Sequence, residues 1–123
     1  MSRILLADDD AALRALVSRT LAADGHEVVA VEDGLDALNA LSSQAFDLVV
    51  SDLDMPGLDG MGLAFKITSG GLAGTSDVKI LLISALAEEL QRARGFPRQR
   101  VATLQKPFTL DQLRASVRAL LRG

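Results

Sequence analysis

Five carboxylates fall into two tight groups in the first half of the chain, Asp8-Asp9-Asp10 and Asp52-Leu53-Asp54. Two more polar residues, Ser84 and Lys106, each follow a short apolar run. Carboxylates brought close together repel one another, and they relieve the repulsion by taking up protons or by binding a hard cation. An all-oxygen ligand set with no His or Cys suits Mg2+, or Mn2+. Such a cation would keep Asp52 ionised, hence nucleophilic, and would screen an incoming phosphoryl group. Lys106 adds a positive charge, and Ser84 can donate a hydrogen bond to a phosphoryl oxygen. Carboxylate nucleophile, cation, ammonium and hydroxyl are the parts that phosphoryl transfer needs.

Each group also has a plainer use. An acidic run is commonly a helix N-terminal cap that complements the dipole, a job that suits Asp10 whatever Asp8 and Asp9 do. Asp52 could be a loop residue ahead of Met55-Pro56-Gly57, which is strong turn chemistry. A lone serine or a lone lysine says nothing. The chemical reading is favoured because the groups coincide at the ends of four apolar runs.

Those runs alternate with amphipathic stretches. Residues 4–7 (ILLA), 28–31 (VVAV), 47–50 (DLVV, running on to Ser51 and Asp52), 80–83 (ILLI) and 101–104 (VATL) read as five strands. Helical spacing joins Leu13, Leu16, Val17, Thr20 and Leu21 before a stop at Gly25, and joins Leu35, Leu38 and Leu41 from a start near Asp33. Residues 61–67 predict a short helix, and 86–94 another that Gly95 and Pro97 must end. Thr109 and Gln112 have capping-box spacing ahead of Leu113, Val117, Leu120 and Leu121. Five strands alternating with five helices predict an α/β fold with a parallel sheet covered on both faces. The expected architecture is a flavodoxin-like (βα)5 domain, doubly wound, with strand order 2-1-3-4-5 and residues 1–123 as one unit. In such sheets functional groups gather beyond the carboxyl ends of the strands, which is where the four groups fall.

Composition narrows the field. The chain has no cysteine, so disulfides, thiolate metal sites and cysteine nucleophiles are excluded. Its N-terminal apolar run is too short for a signal peptide or a membrane span, and a cytoplasmic location is expected. The net charge of −3 divides unevenly: residues 1–60 hold twelve Asp/Glu against three Arg, and residues 61–123 four against ten Lys/Arg. The acidic half argues for metal binding and against a broad nucleic-acid surface. Arg92, Arg94, Arg98 and Arg100 read as a solvated face or, less simply, a docking surface. His26 sits in a turn away from the four groups and reads as a surface residue. Gly70, Gly71 and Gly74 lack the following Lys-Ser/Thr of a phosphate loop and read as a flexible connection.

Across the whole chain these residues resemble the receiver domain of bacterial two-component response regulators. The likeness rests on residues 4–10 (ILLADDD), residues 47–60 (DLVVSDLDMPGLDG), Ser84-Ala85 and Lys106-Pro107-Phe108. The resemblance implies a phosphoacceptor switch charged by a sensor histidine kinase or a histidine phosphotransferase. It implies Asp52 as acceptor, and Asp8 and Asp9 as the acidic pair holding Mg2+, with Asp9 the more direct ligand. Asp54 would offer its backbone carbonyl to the metal. Ser84 would be the switch hydroxyl, and Lys106 would pair with the phosphate and be followed by a cis peptide to Pro107. Three departures stand out: Thr103 where many receivers have Tyr or Phe, the carboxylate of Asp54, and residues 95–100 (GFPRQR) ahead of the last strand. With Thr103 in place of an aromatic, a partial shift of the loop after Ser84 and of the helix 86–94 is expected on phosphorylation.

Two competing readings belong to other classes. Asp52-Leu53-Asp54 also fits the Asp-x-Asp pair of haloacid-dehalogenase-like phosphatases. That pair usually follows the first strand and precedes Thr or Val, whereas here it follows the third and Pro56 takes that place. The other is a receiver fold that binds partners without ever taking phosphate. Met1 and the ending Arg122-Gly123 read as a complete product, so direct DNA binding is not expected. Output is expected through protein contacts, at the face around residues 86–105 and the last helix, or by phosphoryl hand-off.

Overall fold

The computed structural model describes residues 1–122. Five strands, β1 (Arg3–Ala7), β2 (Glu27–Val31), β3 (Leu48–Asp52), β4 (Lys79–Ser84) and β5 (Val101–Gln105), form one parallel sheet in the order β2-β1-β3-β4-β5. Between and after them run α1 (Ala11–Ala23), α2 (Gly34–Ser43), α3 (Gly60–Thr68), α4 (Ala87–Gln91) and α5 (Leu110–Arg122). This is the flavodoxin-like doubly wound arrangement that the alternating pattern predicts.

The sheet is buried on both sides because side chains alternate along each strand. Ile4, Leu6, Leu48, Val50, Leu81 and Ile83 point to one face and pack on Val17 and Leu21 of α1 and on Leu113, Val117 and Leu120 of α5. Leu5, Ala7, Val49, Ile80 and Leu82 point to the other, against Ala37, Ala40 and Leu41 of α2 and Leu63, Ala64 and Ile67 of α3. The central strands β1, β3 and β4 therefore read as unbroken apolar runs. At the edge, β5 keeps only Val101 buried, and Thr103 and Gln105 are exposed.

The helices start where the sequence supplies caps. Asp10 accepts from the N–H groups of Ala12 and Leu13 at 3.0 and 3.2 Å. Asp33 caps α2 through Asp36 N–H, and Asp59 caps α3 through Gly62 N–H, each at 2.8 Å. Thr109 and Gln112 form the reciprocal capping box, at 2.9 and 3.0 Å.

Three expectations need correction. The helix expected over 86–94 is α-helical only from Ala87 to Gln91 and then tightens into a 3-10 turn, Arg92–Gly95. Pro97 holds Phe96 extended (φ −87°, ψ 151°), and the tighter turn buries Ala93 before that break. His26 is half-buried rather than on the surface: its Nδ1 accepts from Ser2 N–H at 3.3 Å, at the amino end of the sheet, away from the clustered carboxylates. Arg100 leaves the solvated basic face and turns inward, donating to the carbonyls of Thr75 and Val78 at 2.9 Å each.

Candidate functional site

At the carboxyl ends of β1 and β3, the carboxylates of Asp8, Asp9 and Asp52 each offer an oxygen within 4.8 Å of the others. Strand pairing puts them there: Ala7 lies beside Ser51, so the residues that follow each strand share one end of the sheet. Asp8 is 2% exposed and Asp52 6% exposed, whereas Asp9 is open to solvent. Asp9, Asp10, Asp52, Asp54, Met55, Pro56 and Lys106 line an open pocket of about 490 Å³. Asp54 stands exposed on its rim, outside the group of three, and its N–H donates to Asp52 Oδ1 at 3.3 Å.

Burial raises the pKa of Asp8 above its ordinary 3.8, and the charges of Asp52 and Asp9 push it the same way. The N–H of Asp10, 2.9 Å from Asp8 Oδ1, and the ammonium of Lys106 oppose the shift. A buried carboxylate crowded by two others calls for a cation. Magnesium takes six oxygens at about 2.0–2.1 Å, so oxygens on one ion stand roughly 3–4 Å apart. With one oxygen each inside 4.8 Å of the others, the three carboxylates could hold a divalent cation.

Lys106 closes the other side. It follows β5, beyond β4 in the sheet, and its Nζ lies 3.3 Å from Asp52 Oδ2. The peptide from Lys106 to Pro107 is cis. The backbone N–H of Lys106 donates to the Ser84 carbonyl at 2.8 Å, tying the ends of the two strands together.

Ser84 is at the predicted strand end, but its hydroxyl does not line the pocket. It donates to Glu89 Oε2 at 3.1 Å and accepts from Leu86 N–H at 3.1 Å. Thr103 lies on β5 across from Leu82 and, with Ala87, Leu90, Gln91, Arg94 and Gln105, borders a separate cleft of about 340 Å³. A small side chain leaves that cleft open.

Several residues that shape the site were missed in the sequence. Arg14, one turn into α1, donates to the Asp8 carbonyl at 2.7 Å and faces Glu32 at 3.8 Å, fixing the backbone on which Asp8 and Asp9 stand. A Cβ on Gly60 would lie 2.6 Å from the Asp52 carbonyl oxygen, and one on Gly34 would fall on the Leu58 carbonyl. Only glycine lets α3 start against the end of β3 and α2 against the pocket loop. A glycine as the first residue of a capped helix, at Asp33-Gly34 and Asp59-Gly60, is the pattern that could have pointed to both.

Over residues 4–118 the chain matches the family model of the response regulator receiver domain. It is 38% identical over 120 residues to the response regulator MprA of Mycobacterium sp. (strain KMS), covering 98% of this chain and 50% of that protein. The figures for MprA of Mycobacterium avium (strain 104) are 38%, 98% and 51%. The chain thus spans about half the length of the curated relatives it matches. Among solved structures it resembles the response regulator TrrA of Thermotoga maritima in complex with Mg2+-BeF, with 32% identity, TM-score 0.81, and 98% and 100% of the two chains covered. It also resembles the receiver domain of the sensor histidine kinase PA1611 of Pseudomonas aeruginosa PAO1, with a magnesium ion in its active-site cleft, at 26% identity, TM-score 0.81, and 99% and 98% coverage. This chain belongs to the response regulator receiver domain family of two-component systems.

Proposed function

We propose that the chain is a phosphoacceptor switch, taking a phosphoryl group onto Asp52 from a sensor histidine kinase or a histidine phosphotransferase in a Mg2+-dependent reaction. The observation that carries this reading is the buried Asp52 carboxylate, set between Asp8 and Asp9 on one side and the Lys106 ammonium on the other. An oxygen of Asp52 forms a bond to phosphorus as the bond from phosphorus to the donor imidazole nitrogen breaks. The product is an aspartyl phosphate, and the freed imidazole takes up a proton. Lys106 has three N–H donors, so it can follow the charge from the carboxylate to the phosphoryl oxygens. Asp8, Asp9 and Asp52, with the Asp54 backbone carbonyl, would hold Mg2+, whose charge offsets the repulsion between carboxylate and phosphoryl group.

We read residues 1–123 as one receiver unit in the cytoplasm, an acceptor that hydrolyses its own phosphoryl group slowly rather than an enzyme with turnover. No helix among the described residues is long and apolar enough to cross a membrane. The phosphatase reading of Asp52-Leu53-Asp54 gains nothing from the geometry, because Asp54 serves Asp52 through its backbone N–H while its carboxylate faces solvent. An apolar cleft lined by Leu13, Leu16, Pro107, Phe108 and Leu110 shares Lys106 with the pocket and gives a donor protein a surface to seat on. Output runs through protein contacts at residues 86–105 and α5, where Arg92, Arg94 and Arg98 are exposed.

Acetyl phosphate tests the reading. Intact mass should show addition of one phosphoryl group only when Mg2+ is present, and none in Asp52→Ala. Addition without Mg2+, or to the Asp52→Ala chain, counts against it.

A further inference from the structure

Ser84 is 3% exposed, and the one proton of its hydroxyl is already committed. It accepts from Leu86 N–H at 3.1 Å and spends its single proton on Glu89 Oε2, also at 3.1 Å. It therefore cannot donate to a phosphoryl oxygen on Asp52 without leaving Glu89. Lys106, with three donors, faces no such choice.

Resting on the phosphoacceptor reading, we propose that Glu89 is a positioning residue that holds the Ser84 hydroxyl out of the acceptor pocket and so sets how readily the phosphorylated state forms. The contest is between two acceptors for one proton. A carboxylate carries one negative charge, and an aspartyl phosphate carries roughly −1.5 to −2 beside the same strand end. Asp52 pairs with Ile83 across β3 and β4, so Ser84 is one residue beyond the acceptor's own partner. When the hydroxyl turns to the phosphoryl group, the Glu89 carboxylate loses its only hydrogen-bond partner among the described residues.

Release of Glu89 acts directly on α4. That helix has five residues, no side-chain N-cap and no fully buried residue. A single helical turn has little stability of its own, so the Ser84–Glu89 bond is one of the few ties fixing its start. The same helix supplies Ala87, Leu90 and Gln91 to the cleft it shares with Thr103 and Gln105. Glu89 thus links the state of Asp52 to the shape of that cleft without an aromatic side chain at position 103.

Beryllofluoride with Mg2+, which mimics an aspartyl phosphate, tests this by fluorine NMR titration of the wild-type chain, Glu89→Gln, Glu89→Ala, Ser84→Ala and the Ser84→Ala/Glu89→Ala double variant. Glu89→Ala should bind roughly tenfold more tightly than wild type, the scale of one charge-assisted hydrogen bond, with Glu89→Gln between them. In the Ser84→Ala background the Glu89→Ala gain should vanish, which a helix merely loosened by the substitution would not produce. Unchanged or weaker binding in Glu89→Ala overturns the proposal. So does an equal gain with and without Ser84, which would mean simple charge repulsion by Glu89. If the wild-type chain binds no beryllofluoride at all, the phosphoacceptor reading fails and takes this inference with it.

Discussion

The Lys106 ammonium lies 3.3 Å from Oδ2 of Asp52 and is, among the described residues, the one cation in contact with that carboxylate, which is buried beside Asp8. Two residues 54 positions apart are thereby held as a preformed pair at the end of the sheet. The pair has a cost as well as a use, because either partner alone would be a poorly solvated charge.

Removing Lys106 should expose that cost. Lys106→Met is expected to lower stability to urea by about 1–2 kcal/mol, since Asp52 then stays buried with no counter-charge. Adding Asp52→Asn should recover most of the loss. Equal losses with and without Asp52 would mean that the lysine acts through packing of its stem instead.

Asp8 should make the metal-free protein less stable as pH rises. Its folded-state pKa is raised, so the folded chain holds the proton more tightly than the unfolded chain. The stabilising effect of protonation is complete below the ordinary carboxylate range and is lost as pH climbs from 3.8 through the raised value. Asp8→Asn removes this pH dependence. Without metal the variant should gain stability over wild type across that window, and a few degrees in Tm above it. Mg2+ should favour the wild type alone, and its affinity should increase with pH over the same window. A constant difference between the two chains from acid to neutral pH would contradict the assignment. Asp54→Asn, by contrast, alters an exposed rim charge and should change Mg2+ affinity by less than about fivefold.

Gly60 should tolerate no side chain. Alanine there would put a methyl carbon 2.6 Å from the Asp52 carbonyl oxygen, so β3 or α3 must shift. We expect Gly60→Ala to cost about 1–3 kcal/mol and to slow phosphoryl uptake. Gly95→Ala meets nothing within 4 Å and should be neutral or slightly stabilising by up to about 1 kcal/mol. Unfolding curves of the two variants give the comparison.

These predictions draw on features of unequal visibility in the sequence. Strand order and the gathering of Asp8, Asp9, Asp52 and Lys106 were legible because each follows an apolar run. A parallel sheet brings the ends of such runs to one side. The capping box at Thr109 and Gln112 was legible because it is a local pattern. The direction of the Ser84 hydroxyl was not, because it depends on how the folded chain aims the Glu89 side chain, five residues away on the following helix. Arg100 shows the same limit from the basic side. Four arginines in nine residues look alike in sequence, yet one reaches the carbonyls of Thr75 and Val78 and three stay in solvent. Gly34 and Gly60 were legible only as glycines opening capped helices, since the close approach of two backbones that requires them is a property of the folded chain.

The most direct test of the account is the position of the phosphoryl group itself. After treatment with acetyl phosphate and Mg2+, borohydride reduces an aspartyl phosphate to homoserine, and peptide mass spectrometry locates the converted residue. The account predicts conversion at position 52 and at no other carboxylate. Conversion at Asp8, Asp9 or Asp54, or phosphorylation that survives borohydride unchanged, would contradict it.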